Sequence, residues 1–334
     1  MMQELVNFSV YSIDTERFGH DWPAIAAYTH NLTAIAGLEL LIGYEPLPVI
    51  PAGLVRAVHL PFWITWLEVW QRGRTAAERY FPGIEPEALK YYCGGPDRGE
   101  IVNTLRQLLV SAAGLNPAYA VFHVSHVEPA DAFTRRYAYT DLDIIEATVE
   151  LLNAVAATFP NGEPPVRLFL ENLWWPGLTF LSNAPALRLI EGLAFDNWAF
   201  VLDTGHLMNT NPAVMTEEQG IDYVLSVVER LAPAVRKRIE GLHFHCSLSG
   251  RYQQQCIKAG LPDNFHRLSL DEQLYQSRTN AMHIDQHRPF TRPRCRDIVD
   301  AVQPCFLTHE FLSSTQAEYD QKLAVQQAAL AGII

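Results

Sequence analysis

Lysine is scarce in this chain: four in 334 residues (Lys90, Lys237, Lys258 and Lys322), with 25 basic residues against 37 acidic ones and a formal charge of −12. A duplex-DNA binder uses a basic face to displace counterions, and this balance argues against one while leaving room for a local arginine patch. Cysteine is sparse too. The five cysteines (Cys93, Cys246, Cys256, Cys295 and Cys305) form no Cys-x-x-Cys pair and leave one over, so neither a disulfide framework nor a thiolate zinc site is expected. No window of about 18 apolar residues occurs; the richest, Leu54 to Trp70, contains Arg56, His59 and Glu68. Met1 to Val10 carries Glu4 and no long apolar run, unlike a signal peptide. A cytoplasmic, soluble chain without a membrane partner is the expectation. Gly-x-Gly-x-x-Gly and Gly-x-x-x-x-Gly-Lys-Ser/Thr loops are absent, which lowers the case for a nucleotide fold.

Apolar residues make up 49% and charged residues 19%, with mean hydropathy −0.02, enough to build a full core. Short apolar runs alternate with amphipathic stretches. Leu5–Tyr11, Leu38–Ile42, Leu54–Leu60, Tyr119–Val124, Val166–Leu170, Ala199–Leu202, Gly241–Cys246 and Cys305–Leu307 read as strands. Trp22–Ala36, with Asp21 as N-cap and Gly37 as stop, reads as a helix, as do Leu142–Phe159, Pro185–Leu193, Ile221–Val235 and Glu318–Ala331. Eight such units at this length predict a (β/α)8 TIM barrel, a single domain over residues 1–334 with no linker to divide it. Two connections, about 61–99 and 247–292, are long and aromatic; both follow strands and so would stand at the face where barrel active sites form.

Six consecutive strands end in residues that can bind a metal: His59, His123, Glu171, Asp203, His245 and Glu310. Converging on one barrel mouth, these groups would repel and lose hydration without a cation. Nitrogen and carboxylate donors without thiols suit zinc, manganese, cobalt or iron better than magnesium or calcium.

This order of motifs resembles the xylose isomerase-like TIM barrels, also called the AP endonuclease 2 superfamily, and within it endonuclease IV. His59 in VHLPFWITWL, Asp203-Thr204-Gly205-His206, and Asp285-Gln286-His287 ahead of the eighth strand carry the likeness. His59, His123, Glu171, Asp203, His206, His245, Asp285, His287 and Glu310 match the nine positions with which endonuclease IV holds three zinc ions. The resemblance implies one ion on His59, His123 and Glu171. It implies a second on Glu171, Asp203, His245 and Glu310, and a third on His206, Asp285 and His287. The reaction implied is phosphoester hydrolysis by a metal-bridging hydroxide. Two departures stand out: Cys246-Ser247-Leu248 replaces the family's Asn-Asp-Ser, and the His245-to-Asp285 spacing is longer. Asp263 with His266, or His283, therefore compete for the third-ion role. Given the acidic charge, a small-molecule substrate is expected rather than bulk duplex DNA.

Ketose epimerases and isomerases of the same superfamily are resembled too, through GLHFHCSLSGR and GLELL. That likeness implies one metal, manganese or cobalt, with Glu171 and Glu310 exchanging a proton from opposite faces of a sugar or polyol. Arg251 and His206 would then bind substrate oxygens. A third possibility is a barrel that binds metal or metabolite without turnover. Trp174 and Trp175 follow Glu171 and are candidates for stacking a substrate ring. His243 is read as support or core, Glu39 and Glu45 as solvated acids, and Cys246 as a packed thiol.

Overall fold

The computed structural model describes residues 2–333. Eight parallel strands pair in chain order and close on themselves: β1 Gln3–Ser9, β2 Ile35–Leu41, β3 Val55–His59, β4 Ala120–His123, β5 Leu168–Glu171, β6 Trp198–Asp203, β7 Ile239–Phe244 and β8 Phe306–His309. Helices stand between most neighbours, including Trp22–Asn31, Arg98–Ala113, Asp141–Ala156, Asn183–Gly192, Glu217–Arg230, Cys295–Val302 and Gln316–Ala331. The expected (β/α)8 barrel is what the chain forms, with one irregularity: residues 42–54, between β2 and β3, carry no helix. No helix among the described residues is long and apolar enough to cross a membrane.

The first helix is shorter than expected. It ends at Asn31, Ala34 turns the chain at positive φ, and β2 begins at Ile35. Gly37 lies inside β2 and is no helix stop. A Cβ there would overlap the Leu54 carbonyl oxygen and the Arg56 side chain, so the glycine lets β2 pass close to β3. The segments of about 61–99 and 247–292 contain helices rather than open loop, among them Leu67–Arg72, Arg74–Tyr80, Gly250–Ala259 and Leu270–Ile284.

Side chains alternate along a strand, so one parity of each strand fills the barrel. Leu5, Ala57, Tyr119, Val121, Phe169, Ala199 and Val201 form that interior, with Phe306 against them. The opposite parity, including Val58, Phe122, Leu170, Phe200 and Leu242, joins the layer under the helices. One further step along the inward parity leads from Ala57 to His59, Val121 to His123, Phe169 to Glu171, Val201 to Asp203 and Gly241 to His243. The register places His123 beside Glu171 and Asp203 beside His243. Barrel packing thus sets the floor on which the polar residues stand. Tyr119 and Phe169 stack at 4.0 Å and 7° directly below them. Phe169→Ala should destabilise the chain by about 3–5 kcal/mol through the cavity it leaves. Denaturant unfolding checks this, and a loss below about 1 kcal/mol would show that the layer is not close-packed.

Candidate metal centre

Glu171 stands at the centre of the mouth, fully buried, with ring nitrogens around both oxygens. Its Oε2 lies 3.3 Å from His59 Nε2 and 3.1 Å from His123 Nε2, and those two nitrogens are 3.1 Å apart. His59 Nδ1–H donates to the Leu60 carbonyl at 2.8 Å, which turns the Nε2 lone pair toward Glu171. Oε1 of Glu171 lies 3.2 Å from His206 Nδ1 and 3.3 Å from His243 Nδ1. Burial opposes the charge on Glu171, but the His123 and His243 rings outweigh it and hold the carboxyl well below the usual carboxylate range.

Around this hub the donor atoms fall into four overlapping groups: His59, His123 and Glu171; Glu171, Asp203 and His206; Asp203, His243 and Glu310; and His206, His245, Asp285 and His287. All nine residues expected from the sequence lie in this one constellation. Their grouping differs at one position. His243 Nδ1 faces Glu310 Oε2 at 3.1 Å, Glu171 at 3.3 Å and Asp203 Oδ2 at 3.8 Å, the place expected for His245. His245 follows the end of β7; its ring stacks on His287 at 4.1 Å and 4°, and its Nε2 lies 3.0 Å from Asp203 Oδ2. The physical reason is parity. His243 and His245 both turn inward, and the lower one meets the carboxylates while the upper one meets the outer histidines. A Cβ on Gly205 would overlap the His245 ring, so the bare backbone there makes room for it.

Asp203 caps the helix Thr204–Asn209 by accepting from the His206 N–H at 2.5 Å, and this turn brings His206 over Glu171. Asn172, open to either role from sequence, ties β5 to β6: it accepts from the Asp203 N–H at 2.8 Å and donates to the Asp203 carbonyl at 3.1 Å. Of the competing candidates for the third group, Asp285 joins the cluster, its Oδ2 lying 3.2 Å from His206 Nε2 and 2.7 Å from His287 Nε2. Asp263, His266 and His283 are exposed and join no group. Arg251 is exposed on Gly250–Ala259 and does not line the cavity described below. His309 turns outward to Glu4 and Gln326, and His126 accepts from the backbone N–H groups of Trp66 and Leu67 at the start of the helix Leu67–Arg72. Cys246 is buried, and burial pushes its thiol up, as fits a packed residue.

Glu39 corrects the expectation of a solvated acid. It is 2% exposed, its Oε1 lies 2.9 Å from His243 Nε2, and its Oε2 accepts from Tyr119 at 2.6 Å and Thr308 at 2.9 Å. The inward parity of β2 (Gly37, Glu39, Leu41) was the signal that could have found it.

These residues fit a cation. The donor set is nitrogen and carboxylate oxygen without sulfur, and His245 Nδ1 and His287 Nδ1 are buried without hydrogen-bond partners.

Above the cluster opens a cavity of about 680 Å³ whose lining includes His123, His206 and Asp285. Its walls come from the β2–β3 connection (Tyr44, Glu45), the first insertion (Phe62, Tyr91, Tyr92), Trp174 and Trp175 after β5, and the helix Leu270–Ile284 of the second insertion. Phe62 stacks on the His123 ring at 4.4 Å and 19°.

Two outcomes are expected. Glu39→Gln should weaken metal binding about 10–100-fold, because the carboxylate behind His243 orients the ring and raises its basicity; competition with a chromogenic chelator measures this, and unchanged affinity would remove Glu39 from the centre. Burial opposes protonation of His287, but Asp285 outweighs it and raises the ring to about 9 in the ion-free chain. A raised imidazole stabilises the fold fully below its ordinary 6.5 and loses that contribution as pH climbs through about 9. Thermal melts of chelator-stripped protein should therefore fall across that window, and a rising profile would contradict the pairing.

No protein-family model and no curated protein sequence matches the chain, but solved structures do. Endonuclease IV from Thermus thermophilus aligns at 15% identity over 99% of both chains, with a TM-score of 0.52. A Rhodospirillum rubrum protein provisionally named a xylose isomerase aligns at 13% identity over 99% of this chain and 98% of its own, with a TM-score of 0.53. A D-tagatose 3-epimerase-like protein aligns at 10% identity over 99% of this chain and 89% of its own, with a TM-score of 0.50. These structures share the closed eight-stranded (β/α)8 barrel fold of the chain.

Proposed function

We propose that the chain is a multinuclear, zinc-dependent phosphoester hydrolase acting on a small molecule. The observation that supports this best is the continuity of the donor groups through Glu171, Asp203 and His206. His59, His123 and Glu171 would hold one ion. Glu171, Asp203, His243 and Glu310 would hold a second. His206, Asp285 and His287 would hold a third, with His245 stacked against them. A single-metal isomerase needs only the second set and leaves His59, His123, Asp285 and His287, all within contact distance of the rest, without work.

Bound divalent ions would supply Lewis-acid polarisation of a phosphoryl oxygen and charge neutralisation for its displacement. The protein's own part is to hold the donors rigidly. Glu39 keeps the His243 Nδ1 lone pair toward the carboxylates, Leu60 does the same for His59 Nε2, and Asn172 fixes Asp203. Phe62, Trp174 and Trp175 line the cavity above them. Glu171 and Glu310 are the acid–base pair of the isomerase reading; in the hydrolase they serve as ligands.

Elemental mass spectrometry on protein purified without chelator or His-tag tests this directly. Two to three ions per chain, mostly zinc, is the expected result. One ion, especially manganese or cobalt, would overturn it in favour of the isomerase, and none would leave a barrel without a metal reaction. Glu171→Gln should lower the ion content and reduce hydrolysis of bis(4-nitrophenyl) phosphate to background; unchanged metal content would sink the shared-ligand assignment.

A further inference from the structure

The lining of the cavity restricts what can occupy it. Its walls are largely aromatic and aliphatic, with Tyr11, Tyr44, Phe62, Tyr91, Trp174 and Trp175 among them. Most of its polar groups are already engaged. Tyr91 donates to Glu45 at 2.7 Å, Tyr92 to Asp271 at 3.2 Å, Thr65 to the Val127 carbonyl at 2.7 Å, and Tyr44 accepts from Trp63 at 2.6 Å.

Two donors remain. Trp174 is 5% exposed, its ring lies 5.1 Å from that of His206, and its Nε1–H is buried without a partner. A buried donor left unmade costs about 1–3 kcal/mol, so an acceptor at that point would be favoured. Arg278 is the one guanidinium or ammonium group lining the cavity among the described residues. It sits on Leu270–Ile284 with Ala281, Met282 and the capping residue Asp285, all of which line the cavity. The spacings of three, four and seven residues put them on one helix face, and seven residues rise about 10 Å. Arg278 therefore lies about 10 Å along the helix from Asp285, where Tyr91 and Tyr92 also line the cavity.

We propose that this site takes a ring-bearing phosphoester with a second anionic group on the far side of the ring. Trp174 Nε1–H donates to a phosphoryl oxygen at the floor, the aromatic walls take the ring, and Arg278 pairs with the distal oxyanion. This rests on the hydrolase reading and adds the substrate class to it. A nucleic-acid strand is disfavoured on the same ground: it needs several cations along a groove, and one is present.

Non-hydrolysable probes test the assignment by calorimetry on the metal-loaded full chain. 4-Phosphonobenzoate should bind at least tenfold more tightly than phenylphosphonate, and phenylphosphonate at least tenfold more tightly than methylphosphonate. Arg278→Ala, at an exposed position, should erase the first difference and leave the second. Trp174→Phe, which keeps a ring and removes the N–H, should weaken all three by a similar factor of about ten. Equal binding of methylphosphonate and the aryl probes, persistence of the carboxylate preference in Arg278→Ala, or no binding of any probe to protein carrying two to three ions would overturn the substrate class. A single bound ion would instead overturn the hydrolase reading beneath it.

Discussion

The structure is organised around a carboxylate with no water to solvate it. Glu171 is fully buried, and four imidazoles surround it: His59 and His123 on one oxygen, His206 and His243 on the other. An isolated buried carboxylate would take up a proton; here the rings hold it ionised. The same geometry explains the rest of the mouth. Three of the four rings have a group behind them, Glu39 behind His243, the Leu60 carbonyl behind His59 and Asp285 behind His206, while His123 Nδ1 is buried without a hydrogen-bond partner. Its outer members, His245 and His287, add further rings, each with a buried Nδ1 that has no hydrogen-bond partner.

Much of this was legible because a barrel strand carries its information in alternation. Once eight strands are recognised, the parity that buries Val121, Phe169 and Val201 also delivers His123, Glu171 and Asp203 to one ring. What alternation does not set is height. His243 and His245 share a parity, and their assignment depends on where β7 ends and how the chain turns over Gly205, which is tertiary information. Glu39 was misjudged because an acid on a strand reads as a solvated end; the parity of β2 turns it inward, where Tyr119 and Thr308 donate to it across the barrel.

The insertions were less legible still. Leu270–Ile284 has a Ser269–Glu272 capping box that marks its start, yet its contribution to the site rests on the face it turns toward Trp174 and Trp175 across the mouth. No local pattern separates Arg278, which lines the cavity, from Arg251, which does not. The barrel sets the chemistry through strand-end residues held by paired strands. The insertions set what reaches it, through residues whose partners lie more than a hundred positions away, as Asn280 donating to the Ala132 carbonyl illustrates.

Charge then bears on substrate size. The chain carries −12 overall, yet its reactive centre would be rich in cations once loaded. At physiological salt the Debye length is about 8 Å. A long polyanion lying across the surface meets the acidic field over its whole length. A compact oxyanion that enters a cavity of about 680 Å³ would be screened from that field by the protein itself and would meet Arg278 in the lining. On the proposed reading, an acidic exterior around a pocket loaded with cations would select by size as well as by charge.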